Sequence, residues 1–401
     1  MRVLMLTSSY PTRTGDWRGG FVRDLARALN EQGLEVMVAA PRPDGRFDAP
    51  VEAPGDPKTH WLPAWFPVRS SAFHRAGLEA NLIRDPAAVR SLPAFLAAYL
   101  AEARVLAAAA DVLVAHWLFP MGLVGRLLSR WTGLPLGVVA HSGPPWPARL
   151  PGLRGLVRAV VRGSASTACV SAHVLEEIAA VAGDRGRLVV LPLGTTPRAS
   201  AEPPPLDRRP LRVLFVGRMI RLKGADLVVR AASRFGESGG DWVQWTLVGD
   251  GPERAGLDDV ATRGSAVRPD SANAQIRFCG ELDHDATLAE IARHDVVVIP
   301  SRTGPLGRSE GLPRVLFEAW SRGVPVIASD TGGLGAAIRE SGAGLLFRPE
   351  SIEELADAVR RFRRDAELRR HLRARALEAA CAHSWAVLGP RWADWVRTLA
   401  A

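Results

Sequence analysis

The sequence predicts an α/β protein built as two Rossmann-like, doubly wound parallel-sheet domains facing a cleft. Three observations carry this. The chain has 401 residues, 47% of them hydrophobic, which exceeds the usual size of one domain and suffices for two cores of about 200 residues each. Short runs of Val, Leu, Ile and Ala alternate with stretches of helical period, the pattern of βα units whose strands are buried on both faces. After the Pro-, Ala- and Ser-rich stretch TTPRASAEPPPLDRRP the alternation restarts at LRVLFVG, without a sequence repeat between the halves. The expected division is a first domain over 1–195, a linker over 196–210, a second domain over 211–383 and a C-terminal helical segment over 384–401.

In the first half, Arg2 to Thr7 reads as a strand, SSYPTRTGDWRGG as a loop, FVRDLARALNEQG as a helix ended by Gly33, and EVMVAAP as the next strand. Gly19 and Gly20 at the helix entry either let backbone N–H groups approach a phosphate or simply make the turn; the dinucleotide fingerprint GxGxxG is absent. Residues 51–75 are rich in Pro and in aromatic residues, Trp61, Trp65 and Phe66 among them, and show neither period. They are expected as a long excursion beside the cleft, bearing on acceptor choice.

An Ala-rich helix from about Ser91 to Ala110, the strand DVLVAHW, a helix to Trp131 and the strand LGVVAHSG follow. His116 and His141 fall at the C-terminal ends of those two strands, where open α/β sheets bind ligands, although such a histidine can equally be a satisfied core group. His116 is acceptor-side or structural, with no preference between the two. Trp146, just beyond, offers a ring that could stack on an acceptor sugar. Residues 150–163 should form an amphipathic helix, with Arg154, Arg158 and Arg162 on one face and Leu153, Leu156, Val157 and Val160 on another. The basic face either touches an anionic membrane or is simply solvated. CVSAHVLEEI and VVLPLG close the domain near Gly194.

Net charge is +9, from 51 Lys and Arg against 42 Asp and Glu, which favours anionic ligands. The arginines are scattered rather than gathered into a stripe, so nucleic acid is not an expected partner. Cys169, Cys279 and Cys381 are odd in number and far apart, with neither metal-ligand spacing nor a disulfide framework, and a reducing cytoplasm is the expected compartment. MRVLML reads as the first strand rather than a leader, because its apolar core is only VLML and no small-residue cleavage site follows. The best candidate for a membrane span, residues 112–125, is short and carries His116 and Pro120. Peripheral contact at the inner face of the membrane stays open.

The second half opens with the strand LRVLFVG, the loop GRMIRLKG and the helix ADLVVRAASRF, with WTLVGDG, IRFCG, DVVVIPS and PVIAS as later strands. Arg218 and Lys223 flank the loop. A guanidinium and an ammonium at a strand's C-terminal end can hold a diphosphate and stabilise it as a leaving group. Asp283-His284-Asp285 is a DxD pattern, which can bind a divalent metal, but it follows a strand and immediately precedes the helix ATLAEIARHD. Capping by Asp283 or Asp285 is therefore expected, and neither a metal nor a cofactor.

The chain is organised around SEGLPRVLFEAWSRGVPVIASD, Ser309 to Asp330, in which Glu310 and Glu318 have seven residues between them. A helix is expected from about Leu312 to about Arg322, with Pro313 in its first turn and Gly323 at a left-handed cap, and VPVIAS follows as a buried strand. Gly311 and Leu312 would then offer backbone N–H groups at a helix N-terminus, where the dipole favours negative charge. By helix rise the two carboxylates stand about 12 Å apart, too far for one acid/base couple. They should grip different parts of one extended ligand with hydroxyls at its ends and phosphate between.

The stretch EGLP, helix, Gly, PVIASDTGG resembles the donor-site motif of glycosyltransferase family 4 (glycosyltransferase group 1), retaining enzymes of GT-B architecture. FVGRMIRLKGADLVV, VGDGPER and PSRTGPLGRSEGLP match that family as well, and the likeness runs from Met1 to about Trp385. It implies a nucleotide-sugar donor (UDP-, GDP-, ADP- or dTDP-sugar) bound by the second domain. Glu310 would hold hydroxyls of the transferred sugar, Glu318 the ribose hydroxyls, and Arg218 with Lys223 the diphosphate. His141, in VVAHSGPPW, resembles the family's active-site histidine, with Ser142 where glycine is more usual. The resemblance also implies retention of configuration, a hydroxylated acceptor bound by the first domain, and a C-terminal helix that returns to that domain. A sugar-nucleotide isomerase of the same fold and a catalytically silent binding subunit are the alternatives.

Overall fold

The computed structural model describes residues 1–13, 15–42, 52, 55–62, 86–144, 151–196, 210–235, 243–263, 276–304 and 312–401. The chain divides into two units, one comprising Met1–Gly194 and Trp385–Ala401, the other Thr195–Ser384. In the first, β1 (Arg2–Leu6), β2 (Glu35–Pro41), β3 (Lys58–Leu62), β4 (Val112–His116), β5 (Leu136–Ala140), β6 (Ser166–Cys169) and β7 (Leu188–Val190) form one sheet in the order β3-β2-β1-β4-β5-β6-β7, every neighbouring pair parallel. In the second, β8 (Leu211–Val216), β9 (Val243–Val248), β10 (Ile276–Gly280), β11 (Val296–Ile299), β12 (Val326–Ser329) and β13 (Gly344–Phe347) form a sheet in the order β10-β9-β8-β11-β12-β13, again all parallel. Both follow the doubly wound order 3-2-1-4-5-6, to which the first adds one edge strand. The switch of winding direction falls between β1 and β4 in one unit and between β8 and β11 in the other.

Composition explains the central strands. β4 (VLVAH) and β5 (LGVVA) are buried along their whole length, as crossover helices on both faces of a parallel sheet require. The helix Gly20–Glu31 buries Val22, Leu25, Ala26 and Leu29 at helical spacing. The helix Trp385–Leu399 belongs to the first unit. Trp392 Nε1 donates to Pro192 O at 2.9 Å, Trp395 Nε1 to Ser166 Oγ at 3.0 Å, and Arg397 to Gln32 O at 2.9 Å. Gly137 in β5 is part of that fit, since a Cβ there would run into Leu399 and Trp395.

Several expectations need correction. The excursion over 51–75 contains β3, an edge strand paired only with β2 and mostly half-buried. Its residues Thr59, His60 and Trp61 are only half-buried, so it needs no apolar run. Its Trp61 packs edge-on against Tyr10, ring centroids 6.0 Å apart, while Trp65 and Phe66 lie outside the described residues. The Ala-rich helix spans Pro86–Ala107 and accommodates Pro93. In the helix Pro151–Gly163, Leu156 is exposed and Val161 is buried beside Val157 and Val160, so the core stripe sits further round than the spacing suggested. Arg158 Nε donates to Val181 O at 2.9 Å. The strand β13 has no counterpart in the sequence reading.

Candidate functional site

In the second unit the site is built at the C-terminal ends of β8 and β11. Arg218 follows β8 by two residues, and the chain then makes a single 3-10 turn, Arg221–Lys223, before the helix Ala225–Ala232. Gly224 between them has φ 70°, and a Cβ there would strike Pro300 O, so this junction needs glycine. The turn is fastened from β11. Arg302 N donates to Leu222 O at 2.8 Å and its Nη1 to Arg221 O at 3.0 Å, while its guanidinium forks onto both carboxylate oxygens of Asp226 at 2.5 and 2.7 Å. A planar fork on a carboxylate is the strong, direction-fixing form of ion pair. Burial pushes the Asp226 pKa up, but the hydrogen bonds and charge of Arg302 outweigh it and leave the carboxyl below its ordinary value. Arg302 is raised, chiefly by the same bond. Arg218, which precedes this fastened turn, and Lys223, which ends it, are both partly buried at the switch point.

The organising stretch is only partly described. Glu310 and Gly311 lie outside the described residues. The helix runs Arg314–Trp320, shorter than expected, because Pro313 (φ −68°, ψ 133°) is extended and serves as the N-cap rather than sitting in the first turn. Leu312 therefore precedes the cap and contributes no first-turn N–H. At the other end Gly323 takes φ 65°, with Gly323 N bonded to Trp320 O and Val324 N to Ala319 O, a Schellman closure. Glu318 is 13% exposed, with Oε1 3.3 Å from Arg314 Nε and 3.6 Å from His284 Nδ1. The neighbouring Asp283 caps the helix His284–Ala292, accepting from Ala286 N at 2.8 Å. Among the described residues no group of three His, Cys, Asp or Glu side chains is placed to hold a metal ion.

In the first unit the corresponding corner is mostly aromatic, with the Glu177 carboxylate lying against Gly143 just beyond it. His116 closes β4 and is fully buried, and His141 directly follows β5 and is partly buried. His116 Nδ1 and His141 Nε2 are 2.9 Å apart, within hydrogen-bond distance. Trp117, beside them, holds φ 69°, rare for a bulky side chain. Its backbone is tied on both sides, Trp117 N to Val139 O at 2.8 Å and Gly122 N to Trp117 O at 2.9 Å. Phe21, in the first turn of the helix after Gly20, packs on His141 with centroids 4.6 Å apart and on Trp117 at 5.8 Å. Burial lowers the His116 pKa to about 3 and, together with His116, pushes His141 well below its ordinary value. Gly19 caps that helix at φ 64°, so close to Ser9 and Tyr10 that a Cβ would collide with their backbone, and Gly20 N bonds to Trp17 O at 3.2 Å. Trp146 lies outside the described residues.

Sequence reasoning missed Arg302, Asp226, Phe21 and Trp117. Arg302 and Asp226 are 76 residues apart, and only the β8–β11 adjacency brings them together.

Two parallel sheets of order 3-2-1-4-5-6 in one chain form the architecture of the GT-B glycosyltransferases. Residues 19–199 match Glycosyltransferase Family 4 and residues 198–379 match Glycosyl transferases group 1; the chain belongs to this glycosyltransferase family. Among its relatives, an alpha-D-kanosaminyltransferase of Streptomyces kanamyceticus is 32% identical over 168 residues, 42% of this chain and 40% of that protein. A GDP-mannose-dependent alpha-(1-6)-phosphatidylinositol monomannoside mannosyltransferase of Mycobacterium tuberculosis is 27% identical over 99% of this chain and 98% of its own length. The sucrose-phosphate synthase of Thermosynechococcus elongatus has the same fold, with a TM-score of 0.76 at 21% identity, covering 100% of this chain and 99% of that one.

Proposed function

We propose that the protein transfers a sugar from a nucleoside diphosphate sugar to a hydroxylated acceptor (a sugar, polysaccharide, lipid-linked or natural-product hydroxyl) with retention of anomeric configuration. The donor is assigned to the second unit and the acceptor to the first. The observation that carries this is the turn Arg221–Lys223, pinned by Arg302, which offers Lys223 beside Arg218 at a switch point. Fixed cations at a departing phosphate stabilise the charge that develops there without reorganising. In the reaction the bond from the anomeric carbon to the diphosphate oxygen breaks and its electron pair leaves with the phosphate. The acceptor oxygen bonds to the same face of that carbon, and its proton passes to the departing phosphate. Glu310 is assigned to the transferred sugar, Gly311 to the donor near it, Glu318 to the ribose, and His141 to the donor sugar beside the acceptor; Leu312, ahead of the Pro313 cap, loses the helix N-terminal role expected of it. Gly19 and Gly20 are assigned to a phosphate of the donor.

The guanosine nucleotide named for the mycobacterial relative supports including GDP-mannose in a donor panel with UDP-, ADP- and dTDP-sugars. Among the described residues no helix is long and apolar enough to cross a membrane. We place the protein in the cytoplasm, with the basic face of Pro151–Gly163 available to an anionic surface. The test is incubation of each donor with an acceptor library, reading nucleoside diphosphate by chromatography and the anomeric centre by NMR. Release of nucleoside diphosphate with the donor's configuration kept is the expected result. An altered but uncleaved sugar nucleotide would make the protein an isomerase, and binding without turnover a silent subunit.

A further inference from the structure

Three helices of the first unit carry an outer surface unlike the rest of the chain. Pro86–Ala107 packs on Met121–Thr132, which in turn packs on Pro151–Gly163, so the three lie side by side. Two contacts tie them together: the Arg104 guanidinium lies over the Trp131 ring at 5.8 Å, and a Cβ on Gly163 would strike Arg126. The whole chain has 51 basic residues to 42 acidic. These three helices hold seven arginines and one carboxylate, Glu102, which is half-buried. The next helix, Ala172–Ala182, reverses the balance with Glu176, Glu177 and no arginine, and so bounds the basic face.

A surface helix ordinarily turns charged and polar residues to water. The outer side of Pro86–Ala107 instead shows Ala94, Ala97, Ala101 and Val105, the last 72% exposed. Beside it Leu127 and Trp131, one turn apart, are 39% and 58% exposed, with the exposed Arg130 between them. On the third helix Leu156, 40% exposed, stands between Arg154 and Arg158. Apolar side chains grouped with a single sign of charge mark a surface that meets a partner. A second copy of the chain is a poor occupant, because a twofold contact would lay these arginines against themselves with only Glu102 to answer them. An anionic bilayer complements every part of the face, since phosphates answer the arginines and the acyl boundary receives the apolar side chains.

We propose that the first unit docks on an anionic lipid bilayer through this face, with Val105, Leu127 and Trp131 entering the boundary between headgroups and acyl chains and the arginines meeting lipid phosphates. A tryptophan ring suits that boundary, and an arginine can lay its stem along apolar surface while its head stays with the phosphates. Trp131 lies just before β5 begins and His141 just after it ends, so the anchor and the ligand corner sit at opposite ends of the same strand. The proposal extends the anionic-surface contact offered above for Pro151–Gly163, moving the insertion to Met121–Thr132 and its neighbour, and it does not depend on sugar transfer.

The test is co-sedimentation of the full chain, without donor or acceptor, with phosphatidylcholine vesicles that contain or lack phosphatidylglycerol. Binding is expected only to the anionic vesicles, and it should weaken as salt is raised. Trp131→Ser and Leu127→Ser, both at exposed positions, should each weaken it about tenfold with the thermal midpoint nearly unchanged. Arg130→Gln should weaken it about fivefold, and Ala101→Glu, which keeps the helix and adds a carboxylate to the face, by about as much. No binding to anionic vesicles, or equal binding to both kinds, would overturn the proposal. So would binding that survives Trp131→Ser and Leu127→Ser together but is lost on changing Arg154 and Arg162 to Gln, which would leave the contact to Pro151–Gly163 alone. A dimer in sedimentation velocity that Trp131→Ser dissolves would make the face an interface between copies and overturn the lipid assignment as well. Vesicle binding as expected, with no donor ever turned over, would leave the docking face standing and remove the transferase reading.

Discussion

The two units share the strand order 3-2-1-4-5-6 and dress the same corner differently. At the ends of β8 and β11 the second unit gathers Arg218, Lys223 and the Arg302–Asp226 fork, all charged. At the ends of β4 and β5 the first unit gathers His116, His141, Trp117 and Phe21, all neutral and mostly aromatic. Topology supplies the corner in both; only the side chains decide whether it suits an anion or rings and hydroxyls.

The sharpest way to break the comparison is to remove charge from the second corner. Lys223→Ala should lower kcat about 100-fold, the cost typical of losing one fixed donor to developing charge, with the thermal midpoint nearly unchanged. A loss confined to the donor KM, measured by initial rates, would mean that Lys223 merely binds.

Acid should separate the units next. The first holds His116 at about 3 and His141 well below its ordinary value, and His60 is lowered too; the second has His294, lowered by burial to about 4. An imidazole whose folded pKa is depressed takes up its proton on unfolding. Its contribution is therefore whole above about pH 6.5 and is lost as pH falls toward the folded value. Each such group gives a slope of up to about 1.4 kcal/mol per pH unit, so as pH falls below about 6.5 the first unit, with more lowered histidines, should lose more stability than the second. Hydrogen exchange of β4–β5 peptides against β11–β12 peptides, corrected for intrinsic rates, checks this. Equal losses would contradict it.

The smallest expected effect is at Glu318, engaged by Arg314 and His284. On the proposed ribose role, which is remote from the reacting bond, Glu318→Gln should raise the donor KM about tenfold and leave kcat nearly unchanged. Loss of turnover at saturating donor would place Glu318 nearer the chemistry.

Much of this was legible in the sequence for a physical reason. Strands buried on both faces must be written as largely apolar runs, and β4, β5, β11 and β12 are, with β1 and β8 interrupted only by Arg2 and Arg212. β3 was not legible, because an edge strand such as KTHWL needs no such run. Arg218, Lys223, His116 and His141 could be located because strand ends are where parallel sheets bind ligands. The contacts around them could not, because the Arg302–Asp226 fork and the His116–His141 bond are made across neighbouring strands. The shortened helix after Pro313 reflects a freedom the residue type leaves open: proline fixes φ and leaves ψ to choose between cap and first turn.

The helix Trp385–Leu399, which packs against Gly137 and bonds to Pro192, bears on how the chain is made. Domains usually complete themselves in the order in which they leave the ribosome. Here the first sheet is translated early, yet one of its covering helices comes only after Thr195–Ser384. At about 5 to 20 residues per second that interval is on the order of 10 to 40 s. Throughout it the nascent first unit has β5 bare where Trp395 and Leu399 will sit, a sticky surface that a chaperone holding apolar segments would meet before its own helix does.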